Sequence, residues 1–204
     1  MKKSTTVLSI ALLIGFITLP FEAFAQLGES ASAVTQDLSL QVDGSALLAV
    51  YNTNPGEGGG TGVSISLSGA SVAGAEVETT ISNSDTRLRI SSLVESGNKR
   101  RITAGINPTL AGTGTQLFVT LANPGDFSPT ATNGGTSTGE QELTTAALTS
   151  AVDVIDDITT CWSGTDPDNG YVVTYRYAKQ DGATTLVSRD IVVTYTITAE
   201  EAAD

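Results

Sequence analysis

YVVTYRYAKQDGATTLVSRDIVVTYTIT (171–198) contains two runs with a two-residue period, punctuated by Asp181-Gly182. Tyr171, Val173, Tyr175 and Tyr177 share one side of the first run. Ile191, Val193, Tyr195 and Ile197 share one side of the second, opposite Val192, Thr194, Thr196 and Thr198. Side chains alternate across a strand, so each run reads as a strand with one buried face. The tyrosines are expected to line a core or a cross-strand ladder. Thr and β-branched residues on both faces of the second run favour pairing. That strand is expected to lie centrally or to pair well at an edge, and to complete the fold.

Upstream, the same pattern recurs. DLSLQV puts Leu38, Leu40 and Val42 on one face, and SALLAVYN (45–52) is a more continuous apolar run, as expected for a strand buried on both sides. NPGEGGGTG (54–62) is a loop, VSISLSG (63–69) alternates again, and AGAEVETTIS is weaker. TRLRISSLVE (86–95) and KRRITAGI (99–106) flank Ser96-Gly97-Asn98, which predicts a hairpin. TQLFVTLA (115–122) turns Leu117, Val119 and Leu121 inward, and 124–140 reads as a long loop. QELT and VDVIDDI follow as short strands. Eight or nine strands at this spacing predict an all-β fold, an antiparallel two-sheet immunoglobulin-like sandwich. Its expected extent is 38–199, after a lead-in at 26–37 and before an acidic tail at 200–204.

The start of the chain speaks to location. Lys2 and Lys3 precede VLSIALLIGFITLPF, an uncharged run of 15 residues, and Ala23-Phe24-Ala25 follows. This is the order of a signal peptide, 1–25, with cleavage before Gln26. The run is shorter than the roughly 20 apolar residues that span a bilayer. The protein is therefore expected in the periplasm, at the cell surface or outside the cell, and not as an integral membrane protein after cleavage.

Removing the first 25 of 204 residues leaves 179, enough for a sizeable core. With Lys2, Lys3 and Glu22 gone, 8 basic and 21 acidic residues remain, a net charge of −13. Such a surface repels nucleic acid. Cys161 is the only cysteine, so no intramolecular disulfide forms. It reads as a small buried residue beside Trp162, with a reactive thiol or an intermolecular bridge as the other options.

The chain contains no histidine, which removes His-based triads and imidazole zinc sites. Gly135-Thr136-Ser137-Thr138-Gly139 spells G-x-S-x-G, but it lies in a loop and has no base to serve it. GEGGGTG (56–62) lacks the P-loop lysine. No catalytic residue, cofactor or metal is expected. Asp166 and Asp168, in DPDNG (166–170), are the candidate Ca²⁺ ligands, with Asp153, Asp156 and Asp157 upstream. Turn chemistry accounts for the same residues without a metal. Lys99-Arg100-Arg101 reads as the solvated end of a hairpin or as a docking patch.

QDLSLQVDGSALLAV, RLRISSLVESGNKRRITAGI, DNGYVVTYRYA and DIVVTYTIT, in that order behind a signal peptide, resemble a group of uncharacterised exported β-sandwich proteins frequent in Bacteroidota. The Thr-rich VTYTIT strand is more distantly similar to those of spore coat protein U and archaic chaperone–usher pilins. The resemblance implies an immunoglobulin-like fold and a structural or adhesive role, with no catalytic residues to carry over. The expected function is that of a non-catalytic structural or surface protein, such as a fibre subunit joined by strand pairing. Its partners would be other surface proteins or copies of itself. A carbohydrate- or ligand-binding module is the alternative, followed by a hydrolase that works with carboxylates alone.

Overall fold

Alternating side chains build almost every element of the chain. The computed structural model describes residues 44–54, 62–75 and 77–200. The expected signal peptide, lead-in, DLSLQV strand, most of the glycine-rich loop and the end of the acidic tail lie outside the described residues. Among the described residues ten strands form: β1 (Ser45–Asn52), β2 (Thr80–Leu93), β3 (Arg100–Asn107), β4 (Thr115–Ala122), β5 (Thr136–Ser137), β6 (Gln141–Glu142), β7 (Val152–Ile158), β8 (Cys161–Trp162), β9 (Tyr171–Lys179) and β10 (Val192–Ala199). They make two antiparallel sheets, ordered β1-β2-β9-β4-β6 and β10-β3-β7-β5, and β8 pairs with β2 off the first path. The fold is an all-β two-sheet sandwich.

The inward rows of β4 and β9 are those the periodicity marks, whereas in β7 the consecutive Val154 and Ile155 are both buried. Leu88 and Ile90 of β2, Leu117, Val119 and Leu121 of β4, and Tyr171, Val173 and Tyr175 of β9 are buried from the first sheet. Ile102, Ala104 and Ile106 of β3, with Val154, Ile155 and Ile158 of β7, meet them from the second. Leu48, Val50, Tyr177, Val193, Tyr195 and Ile197 pack partly buried around this centre. A hydrogen bond of 2.8 Å between the Tyr175 and Tyr195 hydroxyls ties β9 to β10 across the sandwich. Burial in this apolar layer, the largest cause, raises the pKa of both phenols, so both stay neutral.

Three expectations need correction. β2 and β3 do not form a hairpin ladder, because they belong to different sheets. The turn is real, with Gly97 at φ 87° and the Asn98 N–H donating to Glu95 O at 3.1 Å. The six residues of 94–99 nevertheless carry the chain over the roughly 10 Å between sheets, where a two-residue loop would have forced pairing. β1 is not buried on both sides. Among the described residues it has one strand neighbour in its sheet, β2, and it turns Leu47 outward with 69% of its surface exposed. VSISLSG keeps its alternation, with Val63, Ile65 and Leu67 half-buried, yet belongs to neither sheet. Periodicity reports which face is buried and is silent about backbone partners.

Candidate functional site

The two sides of the sandwich are built differently. β1 and β10 are the outer strands of their sheets and lie beside each other. Each is eight residues long, and among the described residues neither has a strand on its outer edge. Along β10 the outward residues Val192, Thr194, Thr196 and Thr198 are exposed, Val192 by 65%. A long unpaired edge presents backbone donors and acceptors to any chain that can add a strand. This open side is the candidate functional surface.

The opposite side ends in β5 and β6, each only two residues long. Irregular backbone plugs what they leave uncovered. Thr138 N donates to Val154 O at 3.2 Å, Thr159 N to Asn133 O at 3.0 Å, and Leu143 N to Leu117 O at 2.7 Å. The Tyr171 hydroxyl donates to Gly134 O at 2.5 Å, and its ring lies 4.8 Å from that of Phe127. Gly135 has φ 76°, and a Cβ there would stand 2.2 Å from Asp156 O. Only glycine lets this segment approach β7 so closely. Outside the plug, Arg176 clamps Glu140 through two bonds of 2.8 and 2.6 Å while its guanidinium covers the Phe118 ring at 3.8 Å.

The residues singled out in the sequence land as follows. Ser137 lies on β5, paired with Ile155, and its hydroxyl accepts from Gly139 N at 3.2 Å. That geometry is a strand edge and has no elbow. Asp166 and Asp168 are exposed on the turn before β9, where Asn169 N donates to Asp166 O at 3.0 Å. Asp153, Asp156 and Asp157 sit on β7 in the other sheet. The two acidic groups are not brought together, and among the described residues no three His, Cys, Asp or Glu are placed to share a metal ion.

The basic run is not a free hairpin end. Lys99 pairs with Asp157, and Arg101 with Asp153 at 3.7 Å, because β3 lies against β7. Asp157 adopts φ 63°, and its N–H donates to the Glu200 carboxylate at 3.0 Å. Among these acids Asp156 is held above the usual carboxylate range, first by burial and then by Asp153, Glu200 and Asp157. Cys161 is buried, and burial pushes its thiol up to about 11, which leaves it inert at neutral pH. Trp162, its neighbour, keeps 49% of its surface exposed.

Sequence reasoning missed the open side as a pair. β10 is visible as a strand, but its edge position depends on β3 leaving β2, which the turn residues do not reveal. Among the described residues no helix is long and apolar enough to cross a membrane. No family model, curated protein or solved structure matches the chain.

Proposed function

We propose that this protein is an exported, non-catalytic structural or surface protein that assembles by adding strands to the open β1/β10 side. The observation that carries the reading is the contrast of edges. Two eight-residue edges lie side by side without outer partners among the described residues, while the opposite edges are cut to two residues and plugged. Folds that stay monomeric blunt their edges with lysine, proline or bulges. β10 carries none of these between Val192 and Ala199. Its partners are copies of the same chain or other surface proteins, and its address is set by the amino-terminal signal. A chain without histidine, whose G-x-S-x-G letters form an edge strand, adds support for a role without catalysis.

Sedimentation velocity and negative-stain microscopy of the chain beginning at Gln26 test this. The expected result is a concentration-dependent ladder of oligomers or filaments, reduced to monomer by Thr196→Lys combined with Leu47→Lys. A wild-type chain that stays monomeric at every concentration, alone and with cell-surface extract, contradicts the proposal.

A further inference from the structure

The outer face of the first sheet carries a second feature, independent of the edges. Trp162 pairs with Ser91 of β2, and Ser91 pairs with Leu47 of β1. On its other flank Trp162 forms an antiparallel bridge with Ser128 through two backbone bonds of 3.0 Å. Paired residues point to the same face, and Cys161 and Ser92, the neighbouring pair, point inward and are buried. Leu47, Ser91, Trp162 and Ser128 therefore form one outward row, about 14 Å long at the usual strand spacing. We propose that this row binds an uncharged saccharide, with the indole of Trp162 as its platform.

Three observations choose that ligand class. First, the half-exposed indole is flanked on both sides by serine. A larger neighbour would lie across the ring, whereas serine leaves the face open and sets a hydroxyl, both donor and acceptor, beside each edge. A sugar ring offers the matching surface, an apolar C–H face with a rim of hydroxyls. The C–H groups meet the electron-rich face of the indole, and the rim reaches the serines. Second, the adjoining loops expose Asp126, Asp166 and Asp168 in a chain of net charge −12, and the nearby outward Arg89 is engaged with Thr165 O and lies over the Tyr51 ring at 4.9 Å. The excess of negative charge disfavours a phosphorylated or sulfated ligand relative to a neutral one. Third, the apolar groups are discontinuous. Leu47 and Trp162 stand two strand spacings apart, about 10 Å, with Ser91 between them. Leu93, 37% exposed and two residues after Ser91 on the same face, adds an apolar side chain beside the row, but Ser91 interrupts the row itself, unlike the continuous apolar core of a protein interface.

Trp162 is the only tryptophan, so indole emission reports this row alone. The experiment titrates the chain beginning at Gln26 with neutral gluco-, manno-, xylo- and galacto-oligosaccharides and follows that emission. The expected result is a saturable shift with at least one series at up to millimolar concentration. Trp162→Ala, read by calorimetry, and Ser91→Glu, read by emission, should each weaken binding by about tenfold or more while circular dichroism stays unchanged. The Ser91→Glu variant keeps the indole and covers its flank, so it serves if Trp162→Ala folds poorly. No saturable response to any series overturns the proposal. So does undiminished binding in both variants. An emission shift that follows protein concentration without sugar also overturns it, and assigns the row, with Leu93 beside it, to contact between copies. Leu47 belongs to β1, so the titrations and the concentration series are repeated with Thr196→Lys, whose open edge is blocked, and failure of this proposal is thereby read separately from failure of strand addition.

Discussion

The sealed and open sides of this sandwich are made from different kinds of sequence. On the sealed side, short strands, tight turns and glycine at positive φ fill the end of the core and answer the free backbone of β4 and β7. On the open side, two regular eight-residue strands have no outer partner among the described residues. Regular sequence thus makes the long edges, and irregular sequence makes the short, plugged ones. Edge strands carry unpaired donors and acceptors by construction, and capping them takes backbone that departs from the ladder.

The largest differences expected from this contrast concern the seal. Leu143 is fully buried and follows β6, so Leu143→Ala should cost about 2–5 kcal/mol in urea unfolding. Leu47→Ala on the open side should cost less than about 0.5 kcal/mol, because its side chain faces solvent. Equal losses at the two sites would erase the distinction. Gly135→Val forces a side chain into Asp156 O at an unfavourable φ and should cost about 3 kcal/mol. Gly97→Val also has φ 87° but meets nothing within 4 Å, so its loss should be limited to about 1–2 kcal/mol of strain.

What the sequence makes legible follows the same division. The strands with inward rows, β4, β9 and β10, are readable because alternating Leu, Val, Ile and Tyr state which face is buried, whereas β7 buries the adjacent Val154 and Ile155. The short β6 is readable as QELT. The hairpin expected at Ser96-Gly97-Asn98 fails because a turn records a change of direction, and both a hairpin and a crossing between sheets need one. β1 looks doubly buried because Ala46, Leu47, Leu48, Ala49 and Val50 are all apolar, although the outward Leu47 and Ala49 pack on nothing in the core. The basic run misleads for a related reason. Its partners Asp153 and Asp157 lie more than fifty residues along the chain and become neighbours only when β3 meets β7. Trp162 is prominent in the sequence, but its serine flanks come from Ser91 and Ser128, far apart in the chain.

A smaller effect sharpens the comparison by pH. The Arg176 guanidinium holds the Glu140 carboxyl below its ordinary range, so the clamp over β9 and β4 is a folded-state gain for the charged form. Its contribution is fully present above the unfolded value, about 4.3, and is lost as pH falls through the lower folded value. Both groups are partly exposed, so Glu140→Gln should cost only about 0.5 kcal/mol at neutral pH. The cost should vanish in acid, as read from melting temperatures across that range. Asp156 has the opposite sign. Its raised value means that the charged form is disfavoured in the fold, so Asp156→Asn should stabilise by up to about 0.5 kcal/mol at neutral pH.

Addition of strands at the β1/β10 side can be read out by amide hydrogen exchange at rising protein concentration. Unpaired outward amides exchange fast, and strand addition protects them. Protection should rise with concentration within Ser45–Asn52 and Val192–Ala199, while Thr136–Ser137 and Gln141–Glu142 stay constant. Protection that ignores concentration at β1 and β10, or that rises at β5 and β6 instead, would contradict it.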